Sequence, residues 1–112
     1  MAEGLRNVFR NLDAWERRMR MATLALAQNW AGKLEGEMKE KAPWTDRTGN
    51  ARAGLFGMAG LRGQEVYIRL GHTVDYGKYL ELAHDGRYAI LEPTRRRRQS
   101  EVHRDFKELW GS

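Results

Sequence analysis

The sequence contains no cysteine. That rules out disulfides and thiolate metal ligation, and gives no sign of an oxidising compartment. Serine occurs only at Ser100 and Ser112, without the Gly-x-Ser-x-Gly turn that would expose a nucleophile. His72, His84 and His103 fall in three separate segments with no ligand spacing and no His-Glu-x-x-His pattern. A phosphate loop ending in Gly-Lys-Ser/Thr is also missing. No run approaches the roughly 18 consecutive apolar residues of a membrane span. The first residues lack the apolar core and small-residue cleavage site of a secretory signal. These absences predict a protein that is not an enzyme, holds no metal or other cofactor and does not enter a membrane.

What is present is a globular balance: 112 residues, 41% hydrophobic and 31% charged, with a net charge of +5. One domain over residues 1–112 is expected, burying roughly two-thirds of its unfolded surface. The positive charge suits phosphate or acidic protein partners. Four tryptophans are many for so short a chain. They serve either as core bulk or as partner-facing anchors, since Trp is enriched at interface hot spots; Trp44 and Trp110 are the candidates for the second role.

The chain turns on residues 42–55. Pro43 cannot sit inside a helix without losing a hydrogen bond and clashing with the preceding turn. Thr45, Asp46, Thr48, Gly49 and Asn50 then supply loop chemistry. Before this hinge, Leu5, Val8, Phe9, Leu12, Trp15, Met19, Ala22, Leu26, Trp30, Leu34 and Met38 recur at steps of three and four, the helical period. Asp13 followed by Glu16 reads as a capping box, which places the helix start near residue 13. Such a helix is long for the domain, so it either spans the whole sheet or lends part of its stripe to another subunit. Gly32 and Gly36 read as a loosened helix end, and Glu35 and Glu37, among lysines, as a solvated face.

After the hinge, Gly54, Gly57, Gly60 and Gly63 recur at every third position. The run is too short for collagen and lacks the strand-then-helix setting of a dinucleotide loop. It reads as a pliable strand over 53–61 with Gly63 in the turn, and glycine in a strand marks a bulge or close backbone contact. These four glycines are therefore candidate interface positions. Residues 64–71 alternate Val66, Ile68 and Leu70 with Glu65, Tyr67 and Arg69, a half-buried strand. The two runs make a hairpin. A short helix is expected over 76–83, a third strand over 87–91, and a last helix over 93–110 that starts on Pro93 and stops at Gly111. The expected fold is α+β: a long N-terminal helix on a small antiparallel sheet, with a short helix and a C-terminal helix.

The strongest charge feature is Arg95-Arg96-Arg97-Arg98. On a helix these four point in nearly all directions, so they make no flat groove-reading surface, though they could hold phosphates without sequence preference. Cations in a first turn oppose the helix dipole. Glu92, Glu101, a neighbouring subunit or nucleic acid must offset them, so the block is a candidate contact for an acidic partner or DNA.

Three motifs in order carry a family resemblance over residues 41–94. Lys41-Ala-Pro-Trp-Thr-Asp-Arg-Thr-Gly-Asn-Ala-Arg52 resembles the Ala-Pro-x-x-Thr-Gly-x-x-Arg signature of phage tail-component proteins, the head–tail joining or tail-completion proteins of long-tailed phages. Tyr76-Gly-Lys-Tyr79-Leu-Glu81-Leu-Ala is similar to their Tyr-x-x-Tyr-x-Glu-x-Gly segment, with Ala83 at the usual Gly. Ile90-Leu-Glu-Pro93 is similar to the Pro-Phe-Leu-x-Pro run before their last helix, though the arginine block that follows departs from the pattern. The matching positions are Pro43, Thr48, Gly49, Arg52, Tyr79, Glu81 and Pro93. The resemblance implies a small α+β structural protein of the virion neck or tail end, assembled in the host cytoplasm. It implies a ring, commonly of six copies, that joins the tail tube protein to the head connector or stopper and lets double-stranded DNA pass. The alternative from the residues alone is a basic, non-enzymatic nucleic-acid-binding module. A small toxin-like RNase lacks the His–Glu–Arg cluster it would need.

Overall fold

The computed structural model describes residues 2–43, 50–73, 81 and 89–111. Helix α1 spans Ala2–Lys41, α2 spans Asn50–Ala53, β1 spans Leu55–Arg62, β2 spans Glu65–His72 and α3 spans Leu91–Leu109. The architecture is α+β, with a long first helix, an antiparallel two-stranded sheet and a C-terminal helix.

α1 runs unbroken from Ala2, so the Asp13/Glu16 pair does not start it. No proline interrupts residues 2–41, and the three-and-four apolar spacing continues through Leu12 and Trp15, so helical backbone carries past the would-be cap. Its 40 residues give a rod about 60 Å long at 1.5 Å per residue, and the molecule measures 69 × 24 × 20 Å. Strands of eight residues reach only about 27 Å. They cannot cover such a rod, and the core sits toward its C-terminal half. Ala27, Trp30, Ala31, Leu34 and Met38 are buried there, joined by Ala42, Leu55 and Ile90. Leu70 and Leu91 close the cluster from the sheet and from α3.

The hairpin register runs from Leu55 opposite His72 to Arg62 opposite Glu65, leaving Gly63 and Gln64 as a two-residue turn. Gly63 has φ +62°, the positive angle that such a turn demands at its first central position. The other strand glycines make room. A Cβ on Gly57 would run into the Ala31 carbonyl oxygen of α1, so the sheet lies directly on helix backbone. Gly60 and Gly71 lie under the rings of their cross-strand partners Tyr67 and Phe56. Gly32 and Gly36 have nothing within 4 Å of a built Cβ, so no backbone approaches α1 there.

Three boundaries differ from expectation. Residues 50–53 form a helical turn, not the end of a loop or the start of a strand. No strand forms at 89–91: Ala89 and Ile90 are irregular and Leu91 opens α3. Pro93 is third in α3, not first. Of the short helix expected over 76–83, only Glu81 is described, and it is helical; the rest lies outside the described residues, as do 87 and 88. At the far end Gly111 takes φ +76° and its N–H bonds the Glu108 carbonyl at 3.1 Å, a left-handed helix stop.

Candidate functional site

Two of the motif residues tie helix ends. Arg52 leaves α2 and donates from its guanidinium to the Lys39 and Ala42 carbonyls at the end of α1. A cation there answers the unpaired carbonyls and the negative end of the helix dipole. Glu81 does the converse for α3. Its carboxylate accepts the N–H of Ile90 at 2.9 Å, of Leu91 at 3.1 Å and of Glu92 at 3.3 Å. A helix leaves its first four N–H groups without intrahelical partners. Here three are bound by Glu81, and the fourth position is Pro93, which has none. Ile90, the residue at the cap, makes no side-chain cap of its own. That explains why α3 starts two residues ahead of the proline.

His72 closes the same corner. It is the last residue of β2, its side chain is 1% exposed, and its Nε2 lies 3.4 Å from Glu81 Oε1. It is a buried strand-end residue. Pro43 stands just beyond the end of α1, after Ala42, and is exposed. Trp44, Thr48, Gly49 and Tyr79 lie outside the described residues.

The arginine block is largely answered from within the chain. Arg95 pairs with Glu92 and donates to Gln99 at 2.9 Å. Arg98 donates to Glu37 at 2.8 Å and to Glu101 at 2.7 Å. Arg97 reaches the other Glu37 oxygen at 3.3 Å. Glu92 and Glu101 were foreseeable partners. Glu37 was not, because it was read as part of a solvated face, yet its side chain is only 11% exposed. The signal was available: Glu37 stands three residues after Leu34 and one before Met38, at the edge of the buried stripe. The Arg98 hydrogen bond holds the Glu37 carboxyl below its ordinary value, helped by Arg97 and opposed by partial burial. Glu35 is likewise lowered, chiefly by the N–H of Gly57, which it accepts at 2.9 Å. Arg96 is exposed and adds to the positive field on Glu92.

The described tryptophans divide as the composition left open. Trp30 is buried and donates its indole N–H to Asp105 at 2.8 Å, fastening α1 to α3. Trp110 is 47% exposed. It meets Trp15 edge-to-face at 5.8 Å and donates to Thr23 Oγ1 at 3.1 Å. The first dozen or so residues of α1 lie before this clasp, and Leu12 and Trp15 are half exposed.

α3 packs along α1 and barely meets the hairpin, so a trough opens between β2 and α3 with α1 as its floor. Its upper part is a cleft of about 490 Å³ lined by Leu34, Ile68, Leu70, Leu91 and Val102. Its lower part, about 460 Å³, is lined by Val66, Phe106, Thr23 and the two clasped tryptophans. Chemically the trough offers apolar walls, with Glu16 and Arg20 in its lower part and Glu92, Arg95, Arg98 and His103 in its upper part. Among the described residues, no three His, Asp or Glu side chains converge as a metal ion would require, and no helix is long and apolar enough to cross a membrane. No protein-family model, curated protein or solved structure matches this chain.

Proposed function

We propose that this chain is a structural protein of the phage neck or tail end, built to associate with copies of itself. In this reading it forms a ring, commonly of six, between the tail tube and the head connector, through which DNA passes. The observation that carries the proposal is apolar surface left outside the fold. Leu12, Trp15, Met21, Met58, Leu61 and Trp110 are between 42 and 60% exposed. Leu12 and Trp15, three residues apart on α1, and Trp110 against Trp15 form one exposed apolar patch, and such patches mark protein contacts. The motif resemblance adds support, because Arg52 and Glu81 hold the two helix ends that frame the hinge and the last helix.

The test is the mass of the purified protein, alone and mixed with tail tubes or connector particles. Higher-order species that form on mixing, together with virion images placing the protein at the capsid–tail junction, are expected. A monomer that joins neither particle overturns the proposal. The Arg95–Arg98 to Ala variant separates it from the nucleic-acid-binding alternative. Loss of assembly is expected; a loss confined to salt-sensitive duplex binding favours the alternative.

A further inference from the structure

We propose that the edge of β2 turned away from β1, left unpaired among the described residues, is a docking site for one extended segment of a partner polypeptide, apolar at every second residue and acidic in between. The inference stands apart from the joining role.

The hairpin register dictates which backbone groups are unpaired. The two-residue turn makes Arg62 and Glu65 a hydrogen-bonded pair, and the Thr73 N–H bonding the Gly54 carbonyl at 2.8 Å fixes the same phase at the other end. The residues between alternate, so Val66, Ile68 and Leu70 direct their N–H and C=O groups away from β1. These three residues line the trough. No backbone group among the described residues meets them. The outer edge of β1 differs, since its Gly57 N–H is already held by Glu35. An unpaired strand edge is a template for another strand.

The surroundings choose the occupant. Side chains on one face of an added strand would meet Leu34 below and Val102 and Phe106 on the α3 wall. A second copy's hairpin does not fit. It carries its own α1 against Gly57 on that face, and that helix would occupy the space of α3. A lone extended segment fits. Arg95 and Arg98 line the upper cleft but are already paired with Glu92, Glu37 and Glu101, so the charge open to a partner lies on the outer face of the sheet. Arg69 stands exposed on β2 with its guanidinium over the Tyr67 ring at 5.6 Å. Acidic residues on the strand's outer face complement this charge.

The test titrates isotope-labelled full-length protein with a synthetic peptide alternating glutamate and valine. Controls are the same peptide N-methylated on alternate backbone nitrogens, and the same composition rearranged to helical spacing. The expected result is amide shifts centred on Val66, Ile68 and Leu70, with slowed hydrogen exchange at those three. The N-methylated peptide is expected to bind at least roughly tenfold more weakly, having lost several hydrogen bonds. Arg69→Glu should weaken the acidic peptide and not its lysine–valine counterpart. Three results overturn the proposal: no shift at those amides with millimolar peptide; equal binding of either control; or exchange of the three amides in the free protein as slow as that of Tyr67 and Arg69.

Discussion

The carboxylate of Glu81 lies 2.9 Å from the backbone nitrogen of Ile90, nine residues further on, and accepts its hydrogen bond. A helix is thus capped by a residue outside it, where a local Ser, Thr, Asp or Asn is the usual device. Replacing Glu81 by Ala strands three N–H groups at the start of α3 and is expected to destabilise the fold by about 2 kcal/mol. Glu81→Gln keeps an acceptor without the charge and should lose about half of that. Denaturant midpoints of the two variants check the order; equal values would show that the charge is idle.

Glu37 makes acid stability a property of the α1–α3 contact. Its folded pKa is lowered, mainly by Arg98. The unfolded chain therefore takes up a proton first as pH falls, and the contribution disappears from the unfolded value of about 4.3 downward. Above about pH 5 it is fully present. Glu37→Gln is expected to lower stability at neutral pH by about 1–2 kcal/mol and to flatten part of the acid limb. Unfolding curves from pH 7 to pH 3 measure both. Glu35 and Glu92, lowered by Gly57 and Arg95 respectively, keep the remainder of that limb.

Gly57 and Gly60 look alike in sequence and should respond differently to alanine. At Gly57 the new methyl meets helix backbone, which cannot step aside. At Gly60 it meets the Tyr67 ring, which can turn. Gly57→Ala is expected to lower stability by about 2–3 kcal/mol and Gly60→Ala by under about 1 kcal/mol. Thermal melts of the pair decide it.

Trp110 clasps α3 to α1 through Trp15 and Thr23. Trp110→Ala and Trp15→Ala are each expected to lower stability, and a double-mutant cycle should return about 0.5–1.5 kcal/mol of coupling. Additive losses would mean that the two rings do not interact in solution.

The long helix, the hairpin and its turn, the last helix and its glycine stop were legible because each rests on period or on a local backbone demand. The start of α1 was misread because Asp13 and Glu16 satisfy a local pattern inside a stripe that simply continues. The start of α3 was misread because Pro93 is a local marker, whereas the cap arrives from Glu81 through space. Glu37 was hidden for a related reason. The lysines at 33, 39 and 41 suggested a wet face, and its partners Arg97 and Arg98 stand about sixty residues away. In the same way the glycine pattern announced close approach without saying to what; Ala31, Tyr67 and Phe56 are the answers. Motif residues 44, 48, 49 and 79 fall outside the described residues.

The seating of Gly57 on the Ala31 carbonyl, with Glu35 locking the adjacent N–H, has a mechanical result. At Gly57 the sheet touches the rod backbone to backbone, so at that point there is no side chain between them to shear. That single point of contact pins β1 to α1, so the Gly63–Gln64 tip, six residues on, is set in direction by the rod.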